Sequence, residues 1–153
     1  MTTPTLRAST ELVAIAWLKG TLGDIVATTL PKPAADGTYS WADTGFCTLT
    51  VVGGDSDMYV PIRRPVVAVD CWAVNPGSQK PPWNKAGQLA EAIQAGCYEV
   101  QDIPRLLVLP GDCPPARVLS AYTAYEPRRV PDDASSYARY TLGLTLHWTE
   151  LPL

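Results

Sequence analysis

Few residues in this chain are suited to catalysis. His147 is the only histidine, and a small hydrolase would use it as a general base beside a nucleophile such as a cysteine thiol. It falls on the polar face of a predicted strand, where a solvated or interface role is more common than a catalytic one. Asp132 and Asp133 are adjacent in a predicted turn, so their carboxylates point in different directions and do not form an acid–base pair. We therefore interpret the chain as a protein that is not an enzyme.

The patterns that bind phosphates or metals are also missing from the sequence. Gly53 and Gly54 belong to neither the P-loop nor the dinucleotide-binding pattern, and a turn explains them better. Zinc ligands usually come in closely spaced pairs, whereas the cysteines stand far apart, at positions 47, 71, 97 and 113. We interpret them as reduced structural thiols that act as small hydrophobic residues, with a disulfide as the alternative. The sequence predicts no metal ion and no organic cofactor.

Length and composition indicate a single globular domain. The 153 residues are 46% hydrophobic and 18% charged, which favours a folded core over disorder. The net charge is −3 and no dense basic patch occurs, which argues against nucleic acid as the main partner. The longest apolar run, residues 12–18, is too short to cross a bilayer, and no signal peptide is indicated. We predict one domain over 1–153 with a frayed end at 1–9 and an origin in the cytosol.

Two helices are predicted to pack on the same core. The first covers residues 10–19, with Ser9 or Thr10 as its N-cap and Gly20 just beyond its end. It is apolar nearly all round, which predicts burial on more than one side. The second begins at Asn84 as its N-cap and ends near Cys97. Its apolar residues follow helical spacing and predict a core face of Ala86, Leu89, Ala90, Ile93 and Cys97.

The strands predict an α+β fold with a mostly antiparallel sheet of about four to five strands, and with the two main helices packed on one face. They are expected over residues 46–52, 66–74, 117–125 and 136–150, with a short apolar segment at 106–110, and a further short strand is an option before Pro31. Gly53-Gly54-Asp55 is expected to begin a turn, and 58–62 to form a short arm. Alternation in 136–150 predicts one buried face and one face open to water or to a partner.

Large side chains in irregular segments make a protein interface the best candidate site. Trp41, Tyr59 and Trp83 lie in proline-rich segments, as aromatic anchors of contacts often do, and folding back onto the domain is the alternative for each. The strand 66–74 carries a charge and an indole on its mixed face. The candidate interface residues are Tyr59, Arg63, Arg64, Asp70, Trp72, Trp83, Arg128 and Arg129.

Three blocks of this sequence resemble the tail terminator proteins of long-tailed phages, especially those infecting actinobacteria. The blocks are "TELVAIAWLKG", "LTVVGGDSDMYVPIRRPVVAVDCWAVNPGSQKPPWNKAGQLAEAI" and "SYARYTLGLTLHW". The resemblance implies a small α+β subunit that closes into a ring, usually a hexamer. It further implies a virion protein, assembled in the host cytoplasm, that caps the tail tube and meets the head completion proteins.

The partners implied by this resemblance are the chain itself, the tail tube protein and the head–tail connector or stopper proteins, while DNA only passes through the lumen and no membrane is involved. The alternatives are another neck component, such as a connector or stopper, and a cytosolic protein-binding domain. The small hydrolase that uses His147 and a cysteine is the remaining alternative.

Overall fold

A computed structural model describes residues 7–78, 80–99, 105–131 and 136–151. The elements in chain order are α1 (Thr10–Leu22), β1 (Val26–Ala27), β2 (Phe46–Ser56), β3 (Arg63–Ala73), α2 (Trp83–Gly96), β4 (Arg105–Leu107), β5 (Ala116–Arg129) and β6 (Ala138–Glu150). The strands form one sheet in the order β1-β2-β3-β6-β5-β4. β1 is parallel to β2, and the other neighbours are antiparallel. The predicted α+β class and the mostly antiparallel sheet are thus confirmed.

The sheet has six strands rather than the predicted four to five. The additional strands are β1 and β4, which are only two and three residues long. Such short strands carry little periodicity in sequence, because alternation needs at least four residues to be visible. The expected short strand before Pro31 is present as β1, and the apolar segment at 106–110 overlaps β4.

α1 begins as predicted and ends later than predicted. The Ser9 hydroxyl accepts a hydrogen bond from the backbone N–H of Leu12 at 3.3 Å, so Ser9 is the N-cap. The expected end at Lys19, with Gly20 just beyond it, is wrong, because the helix continues to Leu22. Gly23 ends it with a φ of 87°, a left-handed conformation that favours glycine, and donates its N–H to the carbonyl of Lys19.

α2 begins at Trp83, so the predicted cap at Asn84 is wrong. Pro82 is the N-cap instead and makes no side-chain capping bond. Proline is tolerated at this position because the N-cap precedes the helical residues, so its missing N–H interrupts no hydrogen bond within the helix. The core face is confirmed for Ala86, Ala90, Ile93 and Cys97, which are buried, while Leu89 is half-buried.

The two helices pack against one face of the sheet, which we call the helix face. On β3 this face consists of Val67, Val69, Cys71 and Ala73, all fully buried. The matching residues of β6 are Leu142, Leu144, Leu146 and Trp148, also buried. One core cluster joins these strands to Val13 and Trp17 of α1 and to Ile93 of α2. We call the opposite side of the sheet the outer face.

The outer face of β6 is less open than predicted. Thr141 and Thr145 are buried, with 7% and 4% of their surface exposed. They are short side chains between longer neighbours, and Tyr125 of β5 lies over Gly143 between them. The expectation that this whole face is open to water or a partner is therefore wrong for the centre of β6.

The hairpin of β2 and β3 is longer than predicted. β2 continues through Gly53-Gly54-Asp55 to Ser56, so the expected turn at these residues is wrong. A bulge at Val52 shifts the register, and Gly54 then takes a φ of 113°. A side chain at Gly54 would overlap with the carbonyl of Arg64 on β3, so glycine is required for the strand to continue. The actual turn lies at 57–62.

β5 also extends further than predicted, from Ala116 to Arg129 instead of ending at 125. It includes Pro127, which cannot donate a ladder hydrogen bond. The proline is tolerated because it lies in the irregularity between Tyr125 and Arg128, where β5 leaves the regular register with β6.

The N-terminal segment is ordered closer to the start than predicted. Arg7 forms an ion pair with Glu150 at 2.8 Å, and the N–H of the buried Ala8 donates to the same carboxylate at 3.0 Å. The predicted fraying is therefore wrong for 7–9, and residues 1–6 lie outside the described residues. Asp132 and Asp133 also lie outside them.

Candidate protein interface

The turn between β2 and β3, residues 57–62, presents two large side chains to solvent. Met58 and Tyr59 are 86% and 89% exposed. The Asp57 carboxylate accepts hydrogen bonds from the N–H groups of Tyr59 at 2.8 Å and of Val60 at 3.0 Å. These bonds, that of Tyr59 first, lower the pKa of Asp57 below its ordinary value. We call residues 57–62 the hairpin tip. Hydrogen bonds hold its backbone in place, while the side chains of Met58 and Tyr59 are exposed to solvent.

Arg63 and Arg64, the two arginines next to the tip, make contacts that stabilise it. The Arg64 guanidinium contacts Asp55 at 2.8 Å and Asp57 at 3.8 Å, and the hydrogen bond to Asp55 raises the pKa of Arg64. The Arg63 guanidinium lies 4.7 Å from the centre of the Trp148 ring. On the other side, the Thr149 hydroxyl donates to the carbonyl of Pro61 at 2.7 Å. Arg63 and Arg64 therefore stabilise the shape of the tip rather than only adding charge to the surface.

Asp70 and Trp72 lie on the outer face, near the opposite end of β3 from the tip. The Arg139 guanidinium donates to Asp70 at 3.2 Å and lies 5.1 Å from the centre of the Trp72 ring. The Trp72 indole N–H donates to the hydroxyl of Thr48 at 3.0 Å. Asp70 is aligned with Thr141 of β6, which is aligned with Arg128 of β5. The predicted residues Asp70, Trp72 and Arg128 therefore share the outer face.

An aromatic cluster covers that end of the outer face. Tyr39 and Trp41, from the long loop before β2, pack against each other with ring centroids 5.4 Å apart and against Tyr137 at 5.7 and 6.0 Å. Tyr137 in turn contacts Trp72 at 6.2 Å. The Tyr137 hydroxyl donates to the Tyr39 hydroxyl at 2.9 Å, and burial with this bond raises the pKa of Tyr137 to about 12. Trp41 is only 3% exposed. It folds back onto its own domain, the second of the two roles considered for it from sequence.

Trp83 lies at the first turn of α2, not in a loop as predicted. The Arg129 guanidinium lies 4.3 Å from the centre of its ring, and Tyr140 of β6 meets it edge-on at 6.3 Å. Trp83 is half-buried, and Arg129 is exposed. A cation over an aromatic face contributes about 0.5 to 1 kcal/mol at exposed sites. These contacts give Trp83 a role in holding α2 against the sheet.

The predicted interface residues thus fall in three places rather than one. Tyr59 belongs to the hairpin tip, and Arg63 and Arg64 lie next to it at the start of β3, where Arg63 is aligned with Trp148. Asp70, Trp72 and Arg128 belong to the outer face, and Trp83 and Arg129 to the helix face, all toward the other end of the strands. The members of the first group lie close to one another, and so do those of the second group. The two groups themselves lie at opposite ends of the strands.

Sequence reasoning did not single out Met58 or the exposed aromatic residues of β5. Met58 stands in the apolar run between Asp57 and Pro61, and a turn-forming aspartate before such a run is the signal that identifies a tip. Tyr122 and Tyr125 are 49% and 40% exposed on the outer face. The pattern "SAYTAY", with small residues between the tyrosines, indicates a strand. It does not indicate which face of that strand the helices cover.

The sheet lies between the histidine and the buried thiols. His147 is on the outer face, aligned with Ser120, and packs edge-on against Tyr122 at 5.5 Å. Cys47 and Cys71 belong to the core on the helix face, where their sulfur atoms are 3.6 Å apart. The hydrogen bond between them and burial raise the pKa of Cys71 well above its ordinary value. Buried thiols of raised pKa behave as the small hydrophobic residues that the sequence predicts.

The described residues contain neither a group of metal ligands nor a helix that could span a membrane. No three histidine, cysteine, aspartate or glutamate side chains among residues 7–78, 80–99, 105–131 and 136–151 are grouped closely enough to hold a metal ion. None of the helices in that part of the chain has the length and hydropathy that a membrane span requires.

Comparison with known proteins identifies a relative in fold. No protein-family model matches the sequence, and no curated protein matches it either. Among solved structures, the chain is similar to a chain of the virion of a native gene transfer agent particle. The TM-score is 0.51 with 15% sequence identity, over 91% of this chain and 89% of the other. At this identity the likeness establishes a shared fold, and it extends over nearly the whole length of both chains.

Proposed function

We propose that this chain is a structural subunit of a phage-like virion, which forms a ring in the neck, caps the tail tube and ends its polymerisation. In this role it also presents the surface to which the head is joined. The fold shared with a chain of a gene transfer agent virion supports the virion assignment. The resemblance of the three sequence blocks to tail terminators supports the finer role.

The observation that carries this proposal is the hairpin tip. Its side chains, Met58 and Tyr59, are almost fully exposed, although large apolar residues are costly to leave in water. Its backbone is fixed by Asp57 and braced by Arg64. A surface that is rigid before contact loses little entropy on binding. The tip is therefore suited to recognising a preformed partner such as the completed end of a tube.

Contact rather than catalysis is the proposed activity. The one histidine and the thiols of Cys47 and Cys71 lie on opposite faces of the sheet, so the hydrolase alternative lacks its base–nucleophile pair among these residues. The net charge of −3 suits protein partners and is compatible with DNA that only passes through the lumen of the ring. The proposed partners are further copies of the chain, the tail tube protein and the connector or stopper proteins of the neck.

The test is the length of tail tubes made with and without this protein. Particles assembled without it should give filled heads that lack tails, together with tubes of uncontrolled length, because nothing removes the growing end. Tubes of normal length that fail to join heads would support the connector alternative instead. Intact infectious particles would refute both neck roles.

A point variant connects this test to the tip. Tyr59→Ala should weaken capping of purified tubes, since losing an exposed aromatic anchor costs about 2 kcal/mol in binding, or roughly thirtyfold in affinity. The matched control is Tyr98→Ala, because Tyr98 is 70% exposed in the turn after α2 and lies outside the tip. Equal capping by both variants and the parent protein would show that the tip is not the contact.

A further inference from the structure

The sheet has an unpaired stretch of strand at each side. β1 pairs with β2 only at Cys47 and Thr48, and β4 pairs with β5 only at 116–118. Within the described part of the chain, residues 49–56 of β2 have no strand on the edge that faces away from β3. Residues 119–129 of β5 have none on the edge that faces away from β6. The N–H and C=O groups along these sides are available to a strand of another chain.

Most of each unpaired stretch lacks the features that usually protect a strand edge. Folded proteins commonly place lysine, other charges or proline at such edges to prevent pairing. The charges and the proline of the two unpaired stretches are confined to the last part of each, at Asp55 and at 126–129, and the rest lacks these features. Residues 49–54, "LTVVGG", and 119–125, "LSAYTAY", contain no charge and no proline. Both stretches expose apolar side chains instead, with Val52 at 58% and Tyr122 at 49%. Edges of this composition are suited to pairing.

The two stretches also match in their position along the strands and in their direction. Through the register of β3 and β6, Thr50 of β2 is aligned with Tyr125 of β5, and Gly53 is aligned with Tyr122. β2 and β5 run in opposite directions, because each step from β2 to β3, β6 and β5 is antiparallel. A second copy placed beside the first in the same orientation therefore brings its β5 antiparallel to the first copy's β2, at the same height.

We propose that β2 of one copy pairs with β5 of the next, so that neighbouring subunits form one continuous antiparallel sheet. This deepens the proposed function and rests on it, since a ring requires two different, complementary patches on each subunit. A second copy is favoured over an unrelated strand because, when the same contact is repeated around a ring, both edges of every subunit are paired. An unrelated strand would pair with only one edge. β1 and β4 then mark the ends of the shared ladder.

The test is disulfide cross-linking of the assembled full-length chain in a Cys113→Ser background, which removes the partly exposed native thiol. Thr50→Cys is combined in turn with Tyr122→Cys, Tyr125→Cys and Arg128→Cys, whose side chains share the outer face with Thr50, because the bulges in both strands allow neighbouring registers. Each subunit then carries both halves of a pair, so mild oxidation should link three or more copies into a ladder on a non-reducing gel. Single-cysteine variants can give no more than dimers.

The matched control combines Thr50→Cys with Tyr98→Cys, whose second thiol is exposed but lies off the sheet edge. We expect a ladder for at least one edge pair and none for the control. A second measurement needs no substitution: hydrogen exchange of backbone amides in 49–56 and 119–129 should slow by at least tenfold in the assembled protein relative to the dilute monomer. Assembly without a ladder in any of the three registers would overturn the pairing, as would a protein that stays monomeric even with tube ends present.

The outcomes for the two proposals are distinguishable. A cross-linked ring that leaves tube growth unchecked would support the edge pairing and refute the terminator role. Capped tubes whose subunits cross-link in no register would do the reverse.

Discussion

The contact between Gly143 and Tyr125 gives a prediction that depends on the fold alone. Gly143 lies in the middle of β6, and Tyr125 is its partner on β5. A Cβ atom built at Gly143 would overlap with two carbons of the Tyr125 ring and lie 2.9 Å from its Cζ. An aromatic ring laid over a strand glycine replaces the packing that the missing side chain would provide. The two residues are therefore expected to be energetically coupled.

The perturbation is Gly143→Ala, which forces the ring off the sheet. Overpacking of this kind costs about 1 to 3 kcal/mol. The lower end applies here, since Tyr125 is already 40% exposed and can turn toward solvent. Alanine returns about 0.5 to 1 kcal/mol over glycine inside a strand. We expect a net loss of at most about 0.5 kcal/mol in the free energy of unfolding, which lowers Tm by no more than about 2 °C in a chain of this size.

The assay is a double-mutant cycle measured by urea and thermal unfolding of the parent, Gly143→Ala, Tyr125→Ala and the combined variant. Without the ring there is nothing to overlap, so Gly143→Ala should become stabilising by about 0.5 to 1 kcal/mol in the Tyr125→Ala background. Gly53→Ala is the control, because Gly53 has no atom within 4 Å of an added Cβ. If Gly143→Ala costs the same in both backgrounds, the cost does not come from the ring and the reasoning is refuted.

Two further predictions concern the contacts that hold the ends of the fold. Trp83→Ala removes the ring that Arg129 and Tyr140 contact, so Tm should fall by several degrees, since even a half-buried tryptophan contributes more than 1 kcal/mol of packing; an unchanged Tm would mean that these contacts add nothing. The hydrogen bond from Arg7, and then that from the N–H of Ala8, lowers the pKa of Glu150 below its ordinary 4.5. The stability it contributes is present above that pH and is lost as the pH falls through the lowered value, so Glu150→Gln should be less stable than the parent at pH 7, with a difference that shrinks in acid. A difference independent of pH in thermal unfolding would contradict this.

The core could be predicted from the sequence because its pattern is local. The alternation of Val67, Val69 and Cys71, and the helical spacing of Ala86, Ala90 and Ile93, each identify a buried face without knowledge of the partner. The same logic located β6. What local pattern cannot give is where a strand stops, and β2 shows why: Gly53-Gly54 is typical of a turn, yet a bulge carries the strand through it because β3 continues alongside.

The candidate site was predicted less well, because exposure depends on the packing of distant segments. Trp41 and Tyr59 look alike in sequence, as aromatic residues in irregular segments near proline. Trp41 is buried by Tyr137, which is distant in sequence, whereas Tyr59 is left at the end of a hairpin. Arg63 and Arg64 similarly form a doublet in sequence but have different partners, a ring and two carboxylates. These outcomes require the tertiary structure.

The hairpin tip and the strand edges point in different directions, which matters for the proposed ring because it has both to close and to bind. Pairing of β2 with β5 extends the sheet sideways, across the strands, and uses backbone groups. The tip lies beyond the last paired residues of β2 and β3, Ser56 and Arg63, and therefore projects along the strands. Subunits joined through their edges would thus carry all their tips on one rim, as repeated contacts for a partner with the same rotational symmetry. Repetition multiplies a modest single contact into strong binding only when every copy can engage at once. An isolated subunit would then bind a tube end weakly, and the complete ring would bind it tightly, so that capping depends on closure of the ring.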